Sequence, residues 1–330
     1  MKPWHALLLL SLILTSLAPS PSMAQVPASA GSVAELHRLV ETALAEEPPV
    51  TRGALVVVGR GGVLTQHTLG RTREDTRLPL LDISAWLTTV AVLTLVERDQ
   101  VALDDPLSKW LPEVPAGKGA ITLRQLLAHT SGLAAQHACL GDRQTTLAQC
   151  AAAILAEPSR AAPGREIFFG NAPLQVAGWL AETVSGRGWA EFFQERVADP
   201  LGLACVTYGA TANPDLARGA RGCPGDVAAF LRFLVQDPAD GSSPLSPATH
   251  AAMFRPQTAA ARAVYVPDAA TGFGLGPALS APWVHTPGTF GPPLWVDREA
   301  GLGMALLVIA APERSAEIAA ELRAILLTGV

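Results

Sequence analysis

Ser84 stands where a serine can act as a nucleophile, at the start of a long apolar segment. The segment runs from Ser84 to Arg98 and leaves little room for a polar face. Such a pattern predicts a helix that is buried on all sides. The unpaired N–H groups at a helix start stabilise the negative charge that develops in acyl transfer. We therefore expect a central helix whose first turn carries a nucleophile, with a helix cap as the plainer interpretation of Ser84.

The order of short motifs around this helix resembles the serine β-lactamase and penicillin-binding-protein superfamily, in its class C and esterase-like branch. The landmarks are LDDP at 103–106, LLAHTSG at 126–132, DPLGL at 199–203 and HTPG at 285–288. In that family a serine opens an S-x-x-K motif and accepts the acyl group. The resemblance implies an α/β (α+β) fold in which helices flank an antiparallel sheet and an all-helical domain is inserted.

Two motif positions depart from the family pattern. The S-x-x-K motif reads S-A-W-L at 84–87, and Phe169 replaces the tyrosine of Y-x-N, although Asn171 is retained. In the family, the lysine and the tyrosine share the proton transfer, and neither Leu87 nor Phe169 can titrate. A positioned general base is worth ~10²–10⁴ in rate, so ordinary acylation should be severely impaired.

The resemblance implies a site composed of Ser84, Asn171 and His285, with Gly288 and Thr289 contacting the substrate. His285 stands at the family's third motif and titrates near neutrality, which makes it the best substitute base. A hydroxide bound to a metal such as zinc is the other option, although no spacing identifies its ligands. We otherwise expect no cofactor.

His129 and Ser131 lie at the end of a short helix that a capping box at Thr122 and Gln125 begins. Either side chain could be catalytic. The resemblance favours a structural role in which both tie the helix end and Gly132 provides its left-handed stop.

Two functions remain open. The first is a β-lactamase-like hydrolase that acts on β-lactams, including carbapenems, or on a related strained amide or ester, weakly or through a non-standard base. The second is an inactive pseudoenzyme that binds a peptidoglycan peptide, a β-lactam or a protein. We lead with the first because a strained ring demands least of the base. A structural envelope protein is a third possibility, which a broad exposed apolar patch would favour.

The elements that position these residues come from both ends of the chain. A helix is expected from Ser32 to about Ala45, followed by a hairpin of residues 54–58 and 63–69. The closing strands and a final helix after Pro312 complete the same layer. We divide the chain into an α/β domain of residues 25–81 and 262–330 and a mainly helical domain of residues 82–261.

The amino-terminal residues resemble a secretory signal. An apolar core at 7–17 precedes Ser22-Met23-Ala24, which predicts cleavage before Gln25 and a signal peptide of residues 1–24. We expect a periplasmic or secreted protein without a membrane span. Four cysteines then lie in an oxidising compartment, and short loops favour the pairs Cys139–Cys150 and Cys205–Cys223 over a metal site.

The charge pattern limits the class of partner. The net charge is −5 and no basic stripe or run appears, which argues against nucleic acid. The expected ligand is a small molecule, either a β-lactam or a peptidoglycan-derived peptide, and we expect a monomer.

Overall fold

The computed structural model describes most of the chain. The described residues are 30–45, 52–111, 113–236, 243–266, 270–287 and 294–308, with 318, 321, 322 and 324. The predicted signal peptide 1–24 and the predicted substrate-binding residues Gly288 and Thr289 lie outside them.

The described chain contains both strands and helices. The strands are β1 (Arg52–Gly59), β2 (Gly62–Gly70), β3 (Leu78–Pro79), β4 (Glu166–Phe168), β5 (Arg221–Gly222), β6 (Arg262–Tyr265), β7 (Gly272–Phe273), β8 (Ala278–Ser280), β9 (Trp283–His285), β10 (Leu294–Asp297) and β11 (Leu302–Val308). The helices are α1 (Ala30–Ala45), α2 (Ile83–Glu97), α3 (Leu123–Leu127), α4 (Leu147–Ala156), α5 (Ala172–Ser185), α6 (Trp189–Phe193), α7 (Asp199–Leu201), α8 (Pro224–Val235) and α9 (Pro247–Met253). A 3-10 turn at Leu107–Lys109 and a π turn at Gln194–Ala198 complete the helical elements of the described residues.

The main sheet joins the two ends of the chain. It has seven strands in the order β2-β1-β11-β10-β9-β8-β7, and its neighbouring strands pair antiparallel. Alternate residues of a strand point to opposite faces, so Leu55 and Val57 pack on the α1 side with Leu36. Val56 and Val58 face the core that contains α2. The predicted fold class, an antiparallel sheet flanked by helices, is confirmed.

Helix α2 runs through the centre of the main core. It spans Ile83–Glu97, close to the predicted Ser84 to Arg98, and twelve of its residues are buried. Full burial of one large aliphatic side chain contributes roughly 1.5–3 kcal/mol, so α2 stabilises the fold strongly. The other helices of the described residues are likewise too short or too polar to cross a membrane.

Caps and disulfides fix the segments around the core. The predicted capping box is present, since Thr122 and Gln125 each bond the other's backbone N–H. Helix α5 begins after Asn171 and ends at Gly186, whose φ of 67° is the left-handed stop that favours glycine. Both predicted disulfides, Cys139–Cys150 and Cys205–Cys223, are confirmed.

Candidate functional site

A small cleft opens where the first turns of α2 meet the segments that precede α5 and β8. It contains about 350 Å³ of space, part of which is open solvent. The described residues that line it are Asp82, Ala85, Trp86, Thr89, His129, Phe169, Gly170, Asn171, Leu174, Gly276 and Pro287. We call this space the cleft.

One face of α2 forms a wall of the cleft. Asp82, Ala85, Trp86 and Thr89 follow the i, i+3, i+4, i+7 spacing of a single helix face. Successive residues lie about 100° apart around the axis, so a residue two positions after Asp82 points roughly the opposite way. The cleft-facing positions with S-x-x-K spacing are therefore 82 and 85, which hold an aspartate and an alanine.

The structure does not bring Ser84 to the cleft. The side chain is fully buried, and Ala220 N donates a hydrogen bond of 3.1 Å to its Oγ. The Tyr208 hydroxyl donates to the Ser84 carbonyl oxygen at 2.8 Å. Thr88, one turn further, donates to Leu216 O at 2.6 Å. This face of α2 binds the loop between α7 and β5, so the geometry contradicts the expectation that Ser84 is presented to a substrate.

The two degenerate motif positions separate in the same way. Leu87 is 1% exposed and belongs to the main hydrophobic core, and it is not among the described residues that line the cleft. Phe169 lines the cleft, as does Asn171 at the start of α5. The structure therefore places Asn171 and Phe169 together in the cleft, as expected, but places Ser84 and Leu87 elsewhere.

His285 lies on β9 and is not among the described residues that line the cleft. Its strand neighbour Trp295 packs with the α1-side core, whereas Val284 and Val296 face the α2 side. The two ring nitrogens lie 3.0 Å from Ser280 Oγ and 3.0 Å from Thr286 O. The structure therefore gives no geometric support to the expected catalytic role of His285.

Asp82 is the N-cap residue of α2 and brings a carboxyl group into the cleft. Its side chain is 5% exposed, and Arg218 Nε lies 3.8 Å from its Oδ1. A helix start favours a negatively charged group. A carboxylate at this point can pair with a cation and accept hydrogen bonds. It cannot take the place of the serine hydroxyl in serine acyl transfer.

His129 lines the cleft rather than only ending α3. Its φ is 56°, and its ring lies 4.8 Å from that of Phe169 and 4.7 Å from that of Phe273. Burial lowers the pKa of His129 to about 4, against the opposing effect of a hydrogen bond to the backbone of Gly170. The imidazole is therefore neutral near pH 7. By contrast, Ser131 Oγ accepts from Leu133 N, as its structural interpretation predicts.

Two polar atoms at the cleft have no hydrogen-bond partner among the described residues. They are Nδ1 of His129 and Nε1 of Trp86, and each is buried. The first can accept a hydrogen bond and the second can only donate one. Both residues line the cleft, but each of these atoms is itself shielded from solvent.

The family model described as Beta-lactamase matches residues 40–328. The chain belongs to the beta-lactamase family. Esterase EstB of Burkholderia gladioli is 30% identical over 203 residues, covering 53% of this chain and 51% of EstB. The Escherichia coli K12 protein AmpH, a D-alanyl-D-alanine-carboxypeptidase/endopeptidase, is 28% identical over 202 residues, covering 54% of this chain and 52% of AmpH.

The solved structures agree with the beta-lactamase fold. EstCE1, a hydrolase with promiscuous acyltransferase activity, superposes with a TM-score of 0.76 at 22% identity, covering 89% of this chain and 98% of EstCE1. At that identity the match shows the fold alone. The matched region spans about half the length of EstB and of AmpH.

Within this beta-lactamase-family cleft, the usual proton-transfer groups are replaced. None of the described lining residues is a serine, a lysine or a tyrosine. Among the described residues, no three His, Cys, Asp or Glu side chains gather in a way that could hold a metal ion. The metal-bound hydroxide therefore gains no ligand set from this part of the chain.

Sequence reasoning missed Asp82, Trp86 and the cleft position of His129. The choice of Ser84 rested on residue type, since it is the serine nearest the helix start. Asp82 holds the N-cap position of α2 without making a capping hydrogen bond. Residues 82 and 85 face one side of the helix and Ser84 faces the other, which residue type alone does not show.

Proposed function

We propose that this member of the beta-lactamase family binds a small ligand in the cleft without forming an acyl-enzyme. The observation that carries the proposal is the pair of cleft-facing positions on α2, which hold Asp82 and Ala85. Serine acyl transfer needs a nucleophile and a base at these points. An aspartate and an alanine supply neither the alcohol nor the amine.

The geometry does not favour the alternative of weak β-lactam hydrolysis through Ser84 and His285. The Ser84 hydroxyl accepts a hydrogen bond from Ala220 N, and His285 lies on the α1 side of the sheet. A general base acts only within hydrogen-bond reach of the proton that it removes. Neither residue is among the described residues that line the cleft, which argues against their joint action on a substrate bound there.

The ligand we propose is a peptidoglycan-derived peptide, with a β-lactam as the alternative. The similarity to AmpH, a D-alanyl-D-alanine-carboxypeptidase/endopeptidase, supports a peptide. We also infer export to an oxidising compartment, such as the periplasm, because two disulfides cross-link the described chain. Recovery of mature protein that begins at Gln25 from a periplasmic fraction would support this inference.

The deciding experiment is labelling with a fluorescent penicillin, followed by intact-mass analysis. We expect no covalent adduct on the wild-type protein, whereas a serine β-lactamase treated alongside acquires one. A D-alanyl-D-alanine-containing peptide should raise the melting temperature in the same preparation. A stable adduct on Ser84, or turnover of a chromogenic cephalosporin that Ser84→Ala abolishes, would refute the proposal.

A further inference from the structure

Exposed apolar side chains adjoin on one short strand outside the cleft. Among the described residues, the strongly exposed large apolar side chains are Val63, Val264 and Tyr265. Val63 lies on β2, whereas Val264 and Tyr265 are neighbours on β6 and are 45% and 40% exposed. Single exposed apolar residues are ordinary, but adjoining ones are typical of an interaction surface.

A bulge in β6 turns Tyr265 outward. The strand pairs parallel to β4, with Ile167 opposite Ala263 and Phe168 opposite Tyr265, so Val264 is an extra residue between the two pairs. Successive residues of a strand point to opposite faces, and one extra residue re-aims the side chains that follow it. Tyr265 therefore shares a face with Phe168, and the centres of their rings lie 5.7 Å apart.

The same outer face of this two-stranded sheet carries charged groups beside its aromatic rings. Glu166 forms an ion pair with Arg262, whose side chain is 72% exposed, and the Arg160 guanidinium lies 5.0 Å from the centre of the Phe168 ring. We call Arg160, Glu166, Phe168, Arg262 and Tyr265 the β4–β6 face. Two arginines against one glutamate make it positive, in a chain whose net charge is −5. None of these five is among the described residues that line the cleft.

The groups of the β4–β6 face fit an acidic polypeptide. A carboxylate accepts charge-assisted hydrogen bonds from arginine, often two at once. No strand among the described residues pairs with the other edge of β6, and such an edge offers backbone N–H and C=O groups to an added strand. A polysaccharide has no strand to add. The two aromatic rings are also inclined by 43°, and a guanidinium lies over one of them, so they form no flat platform for a sugar ring.

We propose that the β4–β6 face docks an acidic, extended segment of another protein. The carboxylates of that segment pair with Arg160 and Arg262, and one of its apolar side chains packs on Phe168 and Tyr265. Phe169, which lines the cleft, donates from its backbone N–H to Tyr265 O at 3.0 Å, so the docking surface lies beside a wall of the cleft. This inference goes beyond the proposed cleft function and does not depend on the ligand of the cleft.

Three end-capped decapeptides test the proposal. Each has valine at every second position, and the positions between hold glutamate, serine or lysine. We expect the glutamate peptide to bind about tenfold or more tightly than the serine peptide, and the lysine peptide not to bind, by fluorescence anisotropy at low ionic strength, where surface charges are least screened. Equal binding of the three peptides, or no detectable binding of the glutamate peptide, would overturn the proposal. Polygalacturonate is the anionic carbohydrate control, and tighter binding of it that Tyr265→Ser abolishes would mean that the partner is a polysaccharide.

The two tyrosines of the chain locate the bound peptide. They are Tyr208, which is buried, and Tyr265, which is exposed. Protein labelled with 3-fluorotyrosine therefore carries one fluorine on the β4–β6 face and one internal control. We expect the glutamate peptide to shift the ¹⁹F resonance of Tyr265 and to leave that of Tyr208 unchanged. Peptide binding that leaves Tyr265 unshifted would place the contact elsewhere and refute the assignment.

Matched variants separate this face from charge and exposed apolar surface in general. Arg160→Ala and Tyr265→Ser should each weaken binding of the glutamate peptide about fivefold or more, because arginine and tyrosine dominate the energetics of interfaces. Arg143→Ala removes another exposed arginine, and Val63→Ser removes the exposed apolar side chain of β2. Both control variants should bind the peptide as the wild type does, and equal losses in the controls would contradict the proposal. All four side chains are exposed, so unchanged melting temperatures should show that each variant folds. A penicillin adduct, by contrast, would refute the cleft function and leave these outcomes unaffected.

Discussion

Helix α2 presents two faces with opposite chemistry, although their residues alternate along the same two turns. One face carries Asp82 and Ala85 to the cleft. The other carries Ser84, which accepts from Ala220 N, and Thr88, which donates to Leu216 O. The serine hydroxyl, which sequence reasoning assigned to chemistry, stabilises the loop on the far side of the helix. A nucleophile must therefore be judged by the face that its helix presents, and not by residue type alone.

The largest expected effect comes from returning the catalytic groups to the cleft face. The variant Asp82→Ser/Ala85→Lys/Phe169→Tyr places the family's serine, lysine and tyrosine on positions that line the cleft. We expect this variant to acquire a covalent adduct with a fluorescent penicillin that the wild type lacks, and to label ~10²–10⁴-fold faster than Asp82→Ser alone, since that ratio is the usual contribution of a positioned general base. Intact mass and the site of the adduct measure the gain.

The matched control places the lysine at position 87, three residues after Ser84, where the sequence-based S-x-x-K motif would have it. Leu87→Lys/Phe169→Tyr puts an amine into the main core, where Leu87 is 1% exposed. An uncompensated buried charge costs about 3–5 kcal/mol, so this variant should unfold at lower urea concentration and remain unlabelled. If it gained labelling at Ser84 while the triple variant did not, the assignment of the two faces would be reversed.

Acid sensitivity offers a second comparison between the cleft and the rest of the molecule. The folded-state pKa of His129 is about 4, below the unfolded value of ~6.5, so between these limits the unfolded chain binds more protons. Stability should therefore fall as the pH drops from about 6.5 to 4, by at most ~1.4 kcal/mol per unit. Urea denaturation of the wild type and of His129→Asn at several pH values measures this pH dependence of the free energy of unfolding.

The difference between the two stability curves isolates His129, because other groups contribute equally to both. His37 is one of them, since burial and the neighbouring His67 also lower its pKa. In His129→Asn, the free energy of unfolding should depend less on pH because the contribution of His129 is gone. Its plot against pH should therefore be flatter than that of the wild type from pH 6.5 to 4. Parallel curves would mean that the imidazole is not buried as a neutral group.

Sequence reasoning succeeded where a pattern extends over several residues. The apolar run predicted α2 within one residue at each end, the capping box at Thr122 was identified, and both disulfides follow from short loops. It failed where one residue decides a direction. A shift of two positions along α2 turns a side chain through about 200°, and one position along β9 moves a side chain such as His285 to the other face of the sheet.

The cleft itself could be predicted only in part. Asn171 and Phe169 were identified through their motif, and both line it. The role of His129 was underestimated because the same residue can end a helix and face a cavity, and only its contacts with Phe169 and Phe273 reveal the second. The orphan indole of Trp86 carries no sequence signal, since partners from distant segments decide whether it is paired.

The smallest expected effect tests the far face of α2 directly. Ser84→Ala removes the acceptor for Ala220 N and leaves a buried N–H unpaired, which costs about 1–3 kcal/mol. Ala85→Ser makes the reverse exchange on the adjacent, cleft-facing residue, where no such bond is lost, and it should change the free energy of unfolding by less than ~0.5 kcal/mol. Urea denaturation compares the two, and the rise in melting temperature with a D-alanyl-D-alanine-containing peptide adds a functional measure. Ser84→Ala should destabilise the fold yet leave the rise produced by that peptide unchanged, because the hydroxyl lies across the helix from the cleft. If Ser84→Ala abolished ligand binding without reducing stability, the hydroxyl would belong to the cleft, and the distinction between the two faces would fail.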